Sequence, residues 1–178
     1  MPMRRRFVTG PLMLAVVSMS CGRDPAKESA PAPAPAVRDV VLAQSKAEWP
    51  ELTIQVVEVS RDQSGLTVRF RFVNASAQPF PLGDRFAADS ADHDSLAGVA
   101  LVDPSGRRKY FVLRDRDNRP VCSRDLPPLE PGERRLLFAR FPAPLAGTSR
   151  ITIQIPHAPD LPEVPVAGAG GQEGRGVV

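Results

Sequence analysis

The run Leu66-Thr67-Val68-Arg69-Phe70-Arg71-Phe72-Val73-Asn74 constrains this chain more than any other stretch. In a pleated strand, Leu66, Val68, Phe70 and Phe72 fall on one side and Thr67, Arg69 and Arg71 on the other. A helix would scatter the same four apolar residues around its circumference. Such a strand needs a second apolar layer over its greasy face, and other segments can supply it. Leu52, Ile54 and Val56 alternate, with Val57 and Val59 on the opposite phase, which predicts a bulge or cover on both sides. Val99 to Val102, Lys109 to Leu113, Leu136 to Phe141 and Ile151 to Ile155 read as further strands.

Turn chemistry separates these runs. Asp62-Gln63-Ser64-Gly65 leads into the central strand, Asp103-Pro104-Ser105-Gly106 closes a hairpin, and Leu129-Glu130-Pro131-Gly132-Glu133 makes another tight turn. Pro79 and Pro81 forbid a paired central strand over Ser76 to Gly83, leaving Phe80 and Leu82 to cap the core. With 20 prolines and 13 glycines set between short apolar runs, a helical bundle is excluded. The expectation is an all-β domain over residues 49–157, an immunoglobulin-like antiparallel β-sandwich of about seven strands. A small closed barrel is the alternative.

What precedes the domain reads as an address and a tether. Met1 to Ser20 carries the charged Arg4 to Arg6, the short apolar Phe7 to Val17 and the small-residue site Ser18-Met19-Ser20, the three parts of a secretory signal peptide. Arg4-Arg5-Arg6-Phe7-Val8 also looks like a twin-arginine signal, so the export route stays open between the two. Either ends outside the cytoplasm. Ser18 to Cys21, with Gly22 following, resembles the lipobox of bacterial lipoproteins. That resemblance implies cleavage before Cys21, diacylglycerol on its sulfur and an acyl chain such as palmitate on the new amino group. Several acyl chains give stable anchoring where one is marginal. Residues 21–48 then read as a tether, with Ala30-Pro31-Ala32-Pro33-Ala34-Pro35-Ala36 favouring extended polyproline II. Residues 158–178 read as a flexible tail.

Removal of the signal also removes the apparent basicity. Without the three cations Arg4, Arg5 and Arg6, the 23 Lys and Arg fall to 20, equal to the 20 Asp and Glu. A neutral chain has no global attraction to phosphates, which argues against nucleic acid as a partner. All four methionines precede Cys21, so thioether copper sites are excluded from the mature chain.

Three segments succeed one another with a recognisable pattern: Val73 to Pro79 (Val-Asn-x-Ser-x-x-Pro), Leu101 to Arg107 (Leu-Val-Asp-Pro-x-Gly-Arg) and Leu129 to Glu133 (Leu-x-Pro-Gly-Glu). They resemble the telokin-like, immunoglobulin-like extracytoplasmic modules of bacterial lipoproteins, similar also to modules preceding OmpA-like domains in high-GC bacteria. The resemblance spans roughly residues 50–160. It implies an envelope location and a sandwich fold, but with no second domain here it does not carry over peptidoglycan binding.

Chemistry-bearing residues are sparse. His93 and His157 are the only histidines, and no Gly-x-Ser-x-Gly elbow, HExxH pair or phosphate loop occurs. Ser90 or Ser95 with His93 and an aspartate would be a triad drawn from sequence neighbours, with nothing to form an oxyanion hole. Asp89, Asp92 and Asp94, with Asp84 nearby, are the candidate Ca²⁺ ligands, since carboxylate oxygens suit that ion, but the loop lacks the EF-hand spacing. Asp115-Arg116-Asp117-Asn118 invites the same idea, with adjacent arginines competing for its carboxylates. Arg107, Arg108, Lys109, Arg114, Arg116, Arg119 and Arg124 form a basic stretch. It can meet anionic headgroups, a cell-wall polymer or an acidic partner, or pair with the Asp84 to Asp103 segment. Cys122 is an odd cysteine, read as a buried inert thiol or an intermolecular disulfide. The expected role is non-catalytic and cofactor-free: a membrane-anchored, extracytoplasmic binding or assembly module of the cell envelope. The alternative is a Ca²⁺-dependent or glycan-binding domain using residues 84–96.

Overall fold

The computed structural model describes residues 40–167. The expected signal peptide, Cys21, most of the expected tether and residues 168–178 lie outside them. Within the described residues the domain is all-β, with strands β1 Ala43–Lys46, β2 Leu52–Asp62, β3 Gly65–Asn74, β4 Ala100–Asp103, β5 Arg108–Phe111, β6 Arg134–Phe141, β7 Arg150–Gln154 and β8 Leu161–Pro165. They form two antiparallel four-stranded sheets in the orders β1-β2-β3-β6 and β5-β4-β7-β8. Two short 3-10 turns, Gly83–Phe86 and Ser90–Asp92, lie between β3 and β4.

The alternation in β3 does what its sequence demands. Leu66, Val68, Phe70 and Phe72 are all fully buried, while Arg69 is exposed. Each such burial stabilises the fold by about 1.5–3 kcal/mol. Phe72 meets Phe86 edge-on at 5.0 Å between ring centroids, and Leu101, Ile151 and Ile153 of the second sheet join the same core. The doubled phase of β2 is a bulge: the β2–β3 register shifts between Val56 and Glu58, so burial passes from Val56 to Val59. Phe80 and Leu82 are buried, as expected of a cap, and Phe80 exchanges backbone hydrogen bonds with Leu129.

The strand count and both domain boundaries need correction. Among the described residues there are eight strands, because β1 lies in the stretch read as tether and β8 in the stretch read as tail. β1 is an edge strand whose Ala43 and Ser45 are only half buried, so its sequence AQSK carries no apolar alternation. β8 contains Pro162 and Pro165, which an edge position tolerates because no second neighbour needs the missing N–H. Its Leu161 and Val164 are buried all the same. β1 covers only the first half of the free side of β2. Leu42 N–H donates to Val56 O at 2.8 Å, and beyond the bulge Ala167 N–H donates to Val59 O at 2.9 Å. Both ends of the described chain therefore lie along one edge of β2.

The three pattern segments turn out to be turns fastened by their own side chains. Asn74 is fully buried, and its Nδ2 donates to Gln78 O and Leu129 O at 2.8 Å and to Glu130 O at 3.2 Å, while its Oδ1 accepts from Ser76 N–H at 2.9 Å. It ties the first segment to the third. Glu133 Oε2 accepts from Glu130 N–H at 2.8 Å, and Gly132 sits at φ +73°, a conformation glycine adopts without strain. Asp103, fully buried, accepts from Ser105 N–H and Gly106 N–H at 3.0 Å and from Thr148 Oγ1 at 2.7 Å. Burial pushes the Asp103 carboxyl up, but the hydrogen bonds from Ser105, Gly106 and Thr148 outweigh it and hold it below the usual carboxylate range.

Candidate functional site

The two loops that carry most of the charge meet. A cleft of about 350 Å³ is lined by Asp92, His93 and Ser95 from one loop and by Arg114, Asp117, Arg119, Arg124 and Asp125 from the other. Asp89 starts the second 3-10 turn, its Oδ1 accepting from Ala91 N–H at 2.8 Å. That turn swings Asp92 inward until its side chain is 3 % exposed. Arg114, in the segment after β5, reaches it with both terminal nitrogens: Nη1 donates to Oδ1 at 3.0 Å and Nη2 to Oδ2. Nη1 also donates to Asn118 O at 2.8 Å. Hydrogen bonding to Asp92 pushes the Arg114 guanidinium up against the opposing effect of its partial burial, so Arg114 stays protonated.

The basic wall is shaped by Asp115, whose Oδ1 accepts N–H groups from Asp117 at 2.9 Å and Arg119 at 2.8 Å. Asn118 takes φ 60°, which asparagine tolerates. The result is a tight turn closed by an Arg114–Pro120 bridge. Arg119 and Arg124 enter the cleft with no ion pair to any described residue. The following segment runs beside β6: Ser123 N–H donates to Phe138 O at 2.9 Å and Arg140 N–H to Val121 O at 3.0 Å. Cys122 lies between them, free and buried, and burial pushes its thiol up.

The basic stretch divides. Arg114, Arg119 and Arg124 line the cleft, whereas Arg107, Arg108 and Lys109 sit on the β4–β5 hairpin, where Lys109 Nζ lies 5.6 Å from the Phe111 ring. Arg116 is exposed on the Asp115 turn. Nor do the candidate metal ligands converge. Asp89 caps a turn, Asp92 holds Arg114, and Asp94 Oδ2 is 3.3 Å from His93 Nδ1. Asp84 Oδ1 accepts from Asp94 N–H at 3.2 Å. Among the described residues, no three His, Cys, Asp or Glu side chains gather around one point. The Ser95 hydroxyl donates to Asp92 O and accepts from Ala97 N–H, so its hydrogen bonds go to backbone and not to His93. His157 sits elsewhere, 3.0 Å from Glu48 Oε2 and against Trp49.

One surface went unnoticed in the sequence. On the outer side of β6, Leu136 is 58 % and Phe138 41 % exposed, and with Val121, Thr67, Arg69 and Arg140 they line a shallow depression of about 440 Å³. The available signal was that β6 carries apolar residues on both phases. No family model, curated protein or solved structure matches this chain.

Proposed function

We propose that this chain is a bacterial lipoprotein, anchored through Cys21 outside the cytoplasm, whose single immunoglobulin-like domain is a non-catalytic binding or assembly module of the cell envelope. Support for the immunoglobulin-like topology comes from strand pairing. With β1 set aside, β2-β3-β6 pair as strands A-B-E and β5-β4-β7-β8 as C′-C-F-G. The binding role rests on one observation. Arg119 and Arg124 line a cleft in which Arg114 is already paired with Asp92, and neither makes an ion pair with Asp117 or Asp125, which share the lining. Planar guanidinium groups without carboxylate partners fit anionic groups of a partner, forming bidentate hydrogen bonds.

Cells expressing the full chain and fed an alkyne analogue of palmitate test the anchor. Labelling that disappears in Cys21→Ala supports it, and labelling that survives refutes it. A photo-crosslinking residue at Arg119 or Arg124 tests the cleft in the same cells. Adducts with one envelope component from both positions, absent when the residue is placed at exposed Arg150, are the expected result. Equal adducts from all three positions refute the cleft reading.

A further inference from the structure

We infer that the outer face of the β1-β2-β3-β6 sheet is where the domain lies down on an anionic phospholipid bilayer, the surface to which the tether holds it. The pairing registers lay this face out in rows: Gln44, Gln55, Arg71 and Leu136; Glu58, Arg69 and Phe138; Ser60, Thr67 and Arg140; Lys46, Thr53, Val73 and Arg134. Glu58 and Asp62 pair with Arg69 at 3.4 Å and with Arg140 at 2.8 Å, while Lys46 and Arg134, at the two ends of the last row, add two further cations. The face therefore keeps a positive surplus in a chain whose mature net charge is zero.

Set among these cations are the exposed Leu136 and Phe138, whose cross-strand neighbours are Arg71 and Arg69. An apolar pair flanked by long cationic side chains is the composition that settles at a headgroup boundary, where the rings and methyls dip in and the guanidinium groups stay among phosphates. Electrostatic attraction and apolar burial then act on the same side of the domain.

The tether brings the face within reach. The described chain enters at Val40, and Val41 lines the same face in a depression it shares with Thr53, Gln55, Arg71, Val73 and Arg134. From Cys21 to that point the chain spans at most about 65 Å when fully extended, so an anchored domain can touch the bilayer with this side. Confinement by a short linker raises the effective concentration to roughly millimolar, so a weak contact suffices. This inference rests on the lipoprotein reading for its tether, and the test supplies that tether chemically.

The mature chain, residues 21–178, is coupled through Cys21 to a maleimide lipid in vesicles; buried Cys122 leaves the coupling selective. The vesicles carry photoactivatable phosphatidylglycerol or photoactivatable phosphatidylcholine. On the anionic vesicles, adducts are expected on the peptides of β3 and β6, falling about five-fold in Arg134→Gln. They should fall further in Leu136→Gln/Phe138→Thr and stay unchanged in Phe111→Thr, an exposed aromatic on the other sheet. Equal yields on the two lipids overturn the inference, as do adducts centred on the β4–β5 hairpin or the cleft loops. Crosslinks between two protein copies through β6 overturn it as well, because they assign the face to self-association. Since the anchor is made in vitro, failure here leaves Cys21 labelling in cells as a separate result.

Discussion

Asn74 is the residue whose replacement tests the account of this fold most sharply. Its side chain, itself fully buried, uses two N–H groups on three carbonyl oxygens and accepts one N–H. In Asn74→Ala three hydrogen-bonding capacities are lost, at about 1 kcal/mol each, for a total near 3 kcal/mol. That is a large share of the roughly 5–15 kcal/mol that stabilises a typical domain, and it corresponds to a drop in Tm of about 10–15 °C. Asn74→Asp keeps the shape and separates hydrogen bonding from packing. An ionised carboxylate there would face three carbonyl oxygens, so its folded pKa is raised above the unfolded value of about 3.9. A group raised in this way contributes its stability below the unfolded pKa and loses it as pH rises through the folded pKa. The deficit of Asn74→Asp relative to wild type should thus be small in acid and exceed that of Asn74→Ala at neutral pH. Urea unfolding followed by the fluorescence of Trp49, the sole tryptophan, measures both deficits. A loss below about 1 kcal/mol in Asn74→Ala, or a deficit in Asn74→Asp that does not change with pH, refutes the reasoning.

Other consequences can be checked with the same equipment. Asp103 has a lowered folded pKa, so its contribution is complete above the unfolded value and is lost as pH falls through the folded one; in Asp103→Asn that part of the acid limb of the stability profile should disappear. Gly106→Ala would place a Cβ 2.6 Å from Asp103 Oδ2, and calorimetry should register a loss of about 1–3 kcal/mol. Arg114→Gln strands the buried Asp92 and, allowing for the 35 % exposure of Arg114, should cost about 2 kcal/mol, with Asp92→Asn on top restoring most of it in a double-mutant cycle. A thiol reagent should leave Cys122 unmodified in the native domain and titrate it fully in denaturant. Calcium should give no saturable heat on calorimetric titration, because Asp89, Asp92 and Asp94 serve different partners.

How much of this was legible in the sequence depended on contrast between the faces of a strand. β3 could be read at once, because its phenylalanines and arginines occupy opposite phases and one phase is entirely buried. β1 and β8 were not legible: AQSK has nothing greasy to alternate, and the prolines of LPEVP argue locally against a strand that the neighbouring β7 nevertheless accepts. The turn patterns were visible, but not that Asn74 joins two of them across 55 residues of sequence to Leu129. Sequence offered pairing between the basic stretch and the Asp84 to Asp103 segment as one alternative, without saying which residues would meet. Only tertiary pairing turns Asp92 and Arg114 into partners and releases Arg119 and Arg124 to face the cleft.

The arrangement along the outer edge of β2 has a mechanical meaning. Tension arriving from the N-terminal side enters at Val40 and is borne first by β1, whose two half-buried and two exposed residues give up little apolar contact when they peel away. Val166 and Ala167, tied separately to Ser149 and Val59, would keep the remaining sandwich shut. Pulled from Val40, the chain should therefore lose β1 first, before any load reaches the phenylalanines inside.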